Sequence, residues 1–107
     1  MQFSIFPLYC ILFNLGRHPR LFRGIRRIVV DYVEGKYYIN IQSEMEFRGV
    51  TYLVQINFTA TESEVRYELF EEVIPEELRI EIRGLLDYLA KEYPVCMRTV
   101  RARLVYT

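Results

Sequence analysis

Apolar and polar residues alternate with a period of two along three segments that follow Gly35. Alternation of this kind predicts β-strands that bury one face and expose the other. Turn-forming residues at Arg48-Gly49 and over 61–63 separate the segments, so we expect three consecutive strands. Their inward positions are Tyr37, Ile39 and Ile41, then Val50, Tyr52, Val54, Ile56 and Phe58, then Val65, Tyr67 and Leu69.

The spacing of apolar residues before Gly35 is helical. From Pro19 to Glu34 they recur three and four positions apart, with proline at the start and glycine after the end. This pattern predicts a first helix. A strand over 27–33 is the alternative, because that segment is rich in β-branched residues and Glu34-Gly35 suits a two-residue hairpin turn.

A second helix is predicted to begin at Pro75, with Glu76 and Glu77 in its first turn. Its apolar stripe consists of Leu78, Ile82, Leu85, Leu86, Leu89 and Tyr93. Pro94 is expected to end it, because proline lacks the amide hydrogen that a helix interior needs. We expect 95–106 to form a closing strand, and the apolar segment 1–15 to form an opening strand.

These elements predict an α+β fold. The expected architecture is a two-layer sandwich in which two helices cover one face of a largely antiparallel sheet of about four or five strands. The chain has 107 residues, of which 51% are hydrophobic, and 14 basic residues balance 14 acidic ones. This composition indicates one globular domain over 1–107 and excludes a disordered tail or a cysteine scaffold.

The apolar N-terminal segment is too short to cross a membrane, and Pro7 and Asn14 interrupt it. No basic region precedes it, so we expect neither a signal peptide nor membrane contact, and a cytoplasmic protein. Cys10 and Cys96 are expected to be buried free thiols, although a disulfide is possible if their segments lie side by side. Arginine outnumbers lysine twelve to two, which favours a thermophilic source.

The sequence contains no catalytic or cofactor-binding motif. His18 is the only histidine, and the two cysteines do not have the spacing of a zinc site. We therefore expect no catalytic residues, no metal, no cofactor and no small-molecule substrate.

Apolar positions outside the expected core favour a contact surface. Ile80, Gly84 and Tyr88 form a line along the second helix, away from its main stripe. Phe3 and Ile5 lie in the expected N-terminal strand, which could pair with a second subunit. The leading hypothesis is thus a non-enzymatic protein–protein interaction module, either a homodimer or a subunit of a larger assembly.

The alternative hypothesis is an RNA- or DNA-binding module. Residues 1–30 contain five arginines and no acidic residue, and the outward face of the sheet is expected to combine an aromatic ring, amides and guanidinium groups. The candidate residues are Arg20, Arg23 and Arg27 on the first helix, and Tyr38, Arg101 and Arg103 on the sheet. The neutral net charge favours pairing of the arginines with acidic side chains instead.

Two short segments resemble the signature strands of the RNA-recognition-motif family, namely 48–53 and 11–15. Val50 and Gln55 stand where that family places base-stacking aromatic residues, so only Tyr52 matches as a stacking candidate. The predicted order from Pro19 to Tyr93 is similar to that of the double-stranded-RNA-binding domain. The second helix of that family begins with lysines that bind phosphate, whereas Glu76 and Glu77 occupy this position here.

Overall fold

A four-stranded antiparallel sheet forms one layer of the molecule, and helices cover one of its faces. The computed structural model describes residues 4–71 and 73–105, with side chains as far as 103. The elements are α1 (Phe6–Leu15), α2 (Pro19–Arg23), β1 (Ile25–Val33), β2 (Lys36–Phe47), β3 (Val50–Ala60), β4 (Val65–Leu69) and α3 (Glu76–Val105). The strands are adjacent in chain order, β1-β2-β3-β4. The α+β fold is confirmed.

The core lies between the inner face of the sheet and the buried faces of α1 and α3. On the sheet it contains Tyr37, Ile39, Ile41 and Met45 of β2 and Val54, Ile56, Phe58 and Ala60 of β3. On α3 it contains Leu78, Ile82, Leu86, Leu89, Tyr93 and Met97. The predicted stripe of α3 is therefore confirmed except at Leu85, which is only partly buried. Most inward positions of the sheet are confirmed as well, while Val50 is exposed and Tyr52 only partly buried.

Residues 27–33 form a strand, so the prediction of one helix from Pro19 to Glu34 is wrong. Only α2 is helical, and it ends at Gly24, where an added Cβ would lie 1.9 Å from the carbonyl oxygen of Glu44 in β2. This close approach brings the chain onto the sheet. The turn at Glu34 and Gly35 has φ values of 49° and 82°, as a two-residue hairpin requires. The alternative interpretation was correct.

The N-terminal segment forms α1, not the expected opening strand. Its buried positions, Pro7, Cys10, Ile11, Asn14 and Leu15, are spaced three and four residues apart. This spacing is hidden in the sequence because the exposed positions of α1 are also apolar. The segment 11–15 is therefore not a strand, and the resemblance to the RNA-recognition motif fails at that signature.

Helix α3 continues through Pro94 to Val105, so the prediction of a closing strand after Pro94 is wrong. Proline removes one hydrogen bond from the helix interior. Packing beyond the proline holds the helix together, because Met97 extends the buried stripe and Cys96 is bonded to α1. In the part of the chain that the structure describes, the sheet has four strands.

Cys10 and Cys96 form a disulfide, with their Cα atoms 5.8 Å apart, so the expectation of free thiols is wrong. The bond connects α1 to the second half of α3. Arg17, after the end of α1, lies near Tyr88, which precedes Cys96, so the two helices run antiparallel. None of the described helices is long and apolar enough to cross a membrane.

Candidate interaction surface

The outward side of α3 carries the line of residues that the sequence singled out. Ile80 is 63% exposed, Tyr88 is 44% exposed, and Gly84 between them is exposed with no atom within 4 Å of the position of an added Cβ. These residues lie opposite the buried stripe of α3 on the helical wheel. Another protein surface could therefore approach the helix backbone closely at Gly84.

Ile5, one of the two expected N-terminal contact residues, does not lie in a strand. Ile5 is 64% exposed and occupies the N-cap position of α1, so its assignment to an edge strand is wrong. Pro7 lies at the beginning of the helix, where its missing amide hydrogen is not needed. Phe3 lies outside the described residues. The N-terminal contribution to the surface thus comes from a helix.

The sequence pattern does not predict the aromatic cluster on α1. Tyr9 and Phe13 lie one helical turn apart, each 49% exposed, with ring centroids 6.0 Å apart. The Arg17 guanidinium lies over the Phe13 ring, 5.3 Å from its centroid. Arg17 Nη1 also donates a hydrogen bond of 3.4 Å to Tyr88 Oη on α3. The cluster therefore connects α1 to the line of residues on α3.

This cluster borders a groove between the two helices, with a cavity volume of about 220 Å³. We call it the α1–α3 groove, and its lining residues are Tyr9, Phe13, Asn14, Arg17, Glu92, Val95, Cys96, Thr99, Val100 and Arg103. Its walls offer aromatic and aliphatic side chains, and two arginines and one glutamate supply charge. The sequence signal for this cluster is the second apolar face of α1, at Ile5, Tyr9 and Phe13. It can be recognised only when the segment is known to be helical.

Two buried contacts fix the shape of the groove. The Cys10–Cys96 disulfide joins its two helical walls. Asn14 is buried on α1, and its Nδ2 donates a hydrogen bond of 2.9 Å to the carbonyl oxygen of Cys10. Because the Asn14 side chain has a hydrogen-bond partner, its burial does not carry the penalty of an unpaired polar group. The groove is thus a preformed feature of the fold.

The outer face of the sheet carries the predicted amides. The register places Tyr38, Asn40 and Gln42 of β2 beside Asn57 and Gln55 of β3. Asn40 Nδ2 donates to Asn57 Oδ1 at 2.6 Å, and Gln42 Nε2 donates to Asn40 Oδ1 at 3.3 Å. These hydrogen bonds engage side-chain amide groups that would have to be free to bond to a nucleic-acid base.

The arginines of the alternative hypothesis are dispersed over the fold. Arg101 and Arg103 do not share the sheet face with Tyr38, because they belong to α3. Arg20 and Arg23 lie on α2, whereas Arg27 lies on β1, so the predicted common helical face does not exist.

Several arginines pair with acidic side chains. Arg20 Nη1 lies 2.9 Å from Glu81 Oε1, and Arg101 Nη2 lies 2.8 Å from Glu62 Oε2. Arg48 pairs with Glu77 and Arg83 with Glu71, whereas neither Arg23 nor Arg27 forms an ion pair with a described residue. The acidic segment of the chain therefore neutralises much of the basic charge within the fold.

Two tyrosine hydroxyl groups have a raised pKa. Burial, and then the hydrogen bond that Tyr67 Oη donates to the Asp87 carboxylate, raise the pKa of Tyr67 to about 12. Burial also raises the pKa of Tyr93, whose Oη donates a 2.6 Å hydrogen bond to the carbonyl oxygen of Thr61. Both hydroxyl groups connect α3 to the sheet side of the molecule, away from the groove, so they serve the packing of the fold.

Compared with protein-family models, with curated proteins and with solved structures, the chain shows no significant match.

Proposed function

We propose that the chain is a non-enzymatic protein–protein interaction module that binds a protein partner in the α1–α3 groove. The observation that carries the proposal is the exposed cluster of Tyr9, Phe13, Arg17 and Tyr88. Tyrosine, tryptophan and arginine dominate the binding energy of protein interfaces. The cluster supplies two of these three residue types at one location, beside an apolar cavity.

The rigidity of the groove supports the same proposal. Binding costs free energy when side chains and segments must be ordered in the complex. Here a disulfide joins the groove walls, and Phe13 already holds the Arg17 guanidinium against its ring. A partner therefore meets a surface whose main anchors are already ordered.

The charges of the groove define the chemistry of the partner. Arg17 contacts an aromatic ring and a tyrosine hydroxyl, and none of the described ion pairs includes it. A carboxylate from a partner would provide its missing counter-ion. Two arginines and one glutamate line the groove, so its net charge is positive and suits an acidic segment. We therefore propose a protein segment with apolar side chains and at least one carboxylate, within a larger assembly.

A peptide selection tests this proposal. A random peptide library displayed on phage is selected against the immobilised full chain. We expect enriched sequences that combine apolar and acidic residues. Their affinity should fall at least about tenfold for Phe13→Ser, as loss of an interface anchor requires.

The matched control for this selection is Leu53→Thr. Leu53 is also an exposed apolar residue, but it lies on the outer face of β3, away from the groove. Peptides should bind this variant as they bind the wild type. Failure to enrich any peptide, or equal binding to the Phe13→Ser variant, would overturn the proposal.

We also propose that the protein is cytoplasmic and comes from a thermophile. The excess of arginine over lysine supports this source. The Cys10–Cys96 disulfide agrees with it, because intracellular proteins of hyperthermophiles are rich in disulfides whereas other cytosolic proteins are not. A Tm above the mesophilic range of about 45–65 °C is expected. A Tm within that range would contradict the proposed source.

A further inference from the structure

The two edges of the sheet differ in how well they are protected. Strand β4 has five residues, alternates charged and apolar positions, and contacts α3 through the hydrogen bond from Tyr67 to Asp87. Strand β1 has nine residues and contains the apolar run Ile28-Val29-Val30, where Ile28 is 37% exposed although it faces inward. A long apolar edge strand readily pairs with another strand.

The hairpin geometry identifies the backbone groups at this free edge. Val33 and Lys36 close the two-residue turn, so they form a hydrogen-bonded pair. Hydrogen-bonded and non-bonded pairs alternate in an antiparallel ladder, and therefore Asp31, Val29 and Arg27 also bond to β2. The N–H and C=O groups of Ile28 and Val30 consequently point away from β2.

The sequence of β1 is self-complementary about Val29. In a symmetric antiparallel pair centred there, Ile28 lies opposite Val30 of a second copy, and both residues present free backbone groups. Arg27 lies opposite Asp31 of the second copy, and both project from the outer face. Residues directly opposite share a face, so two ion pairs related by symmetry can form.

The charges select this register over its neighbours. A pair centred on Ile28 would place Arg27 opposite Val29, and a pair centred on Val30 would place Asp31 opposite Val29. Within the described residues, neither Arg27 nor Asp31 has an ion-pair partner. Both charges are therefore available to a second copy. The register shift between Ile25 and Arg27 interrupts the strand on one side and opposes slippage.

We propose that two copies of the chain pair through β1, centred on Val29, to form one continuous eight-stranded antiparallel sheet. The interface is small, because it consists of one strand pair and the Ile28–Val30 contacts. Interfaces below roughly 1,200 Å² are typical of transient association, so we expect a dimer that dissociates on dilution. The α1–α3 groove lies on the helical layer, and this proposal does not depend on the function assigned to it.

Charge reversal across the edge tests the dimer. Sedimentation velocity of the full chain over a range of concentrations should show a monomer–dimer equilibrium. Asp31→Arg and Arg27→Asp should each weaken dimerisation at least tenfold, because like charges then face each other. The double variant Arg27→Asp/Asp31→Arg should restore dimerisation, since it exchanges the two charges. Arg23→Asp, at an exposed position of α2, is the control and should dimerise like the wild type.

A cysteine at the centre of symmetry tests the register. Directly opposite residues of a non-hydrogen-bonded pair have Cα atoms about 4.5 Å apart, within reach of a disulfide. The Val29→Cys variant should therefore form a covalent dimer under oxidising conditions, and Val33→Cys should not. A wild-type monomer at all concentrations, a double variant that stays monomeric, or equal cross-linking of both cysteine variants would overturn the proposal. Peptide binding to the groove is scored separately and would survive that result.

Discussion

Cys10 and Cys96 are bonded although they lie 86 positions apart in the sequence, and the bond joins the two helices that form the α1–α3 groove. The disulfide encloses α2 and all four strands within one covalent loop. Closing a long loop restricts the unfolded chain strongly, so this single bond contributes both to stability and to the shape of the groove.

Reduction of this disulfide should lower the free energy of unfolding by about 4–5 kcal/mol, the value that loop-closure entropy gives for a loop of this length. Urea unfolding with and without dithiothreitol measures the difference. The Cys10→Ala/Cys96→Ala variant is the control, and its transition should not respond to the reductant. Coincident transitions of the oxidised and reduced wild type would contradict the prediction.

Stability should fall as the pH rises above 10. Tyr67 has a raised pKa of about 12, compared with 10.0 for the free side chain, and the pKa of Tyr93 is raised as well. Between pH 10 and 12 the unfolded chain loses a proton that Tyr67 retains in the folded state, so stability is complete below pH 10 and declines through this window.

Urea midpoints measured from pH 8 to pH 12 check this dependence. Tyr67→Phe should show a shallower decline than the wild type, because it cannot ionise in the unfolded state. Lysine ionisation affects both proteins equally, so the difference between them isolates Tyr67. Parallel curves for the two proteins would refute the prediction.

Replacing Pro94 by alanine should stabilise the protein by about 1–3 kcal/mol. Alanine supplies the amide hydrogen that proline lacks in the helix interior. Thermal unfolding and the circular dichroism signal at 222 nm measure stability and helix content. An unchanged or lower Tm would contradict the prediction, because a proline at the end of a helix, followed by a strand, removes no hydrogen bond from a helix interior.

Nucleic acid should bind weakly and without dependence on particular arginines. The described ion pairs neutralise five arginines, and Asn40 and Asn57 bond to each other on the sheet. Fluorescence anisotropy with labelled RNA and DNA at two salt concentrations measures binding. A steep salt dependence that disappears in Arg23→Ala/Arg27→Ala would favour the nucleic-acid hypothesis instead.

The elements with strict periodicity were predictable from the sequence. Strands β2 and β3 and the first half of α3 each bury one face in a regular pattern, and short-range signals such as Arg48-Gly49 marked their ends. Long-range contacts determine the secondary structure of the other segments. Residues 95–105 remain helical because Met97 packs in the core and Cys96 is bonded to α1, and neither contact is visible in the local sequence.

The candidate surface was predictable only in part. Ile80, Gly84 and Tyr88 were recognisable because a helical wheel separates them from the buried stripe. Tyr9 and Phe13 were not, since α1 is apolar on both its buried and its exposed face and shows no clear period. The groove depends on which side of α1 meets α3, and that is a property of the tertiary structure.

The most direct test of the proposed function is a two-dimensional ¹⁵N–¹H NMR titration of the full chain with a peptide enriched by the selection. We predict shifts of backbone amide signals around Tyr9, Phe13, Tyr88 and Val95, and unchanged signals on the outer face of the sheet around Asn40 and Asn57. Shifts confined to the sheet, with the groove signals unchanged, would contradict the assignment of the groove as the binding surface.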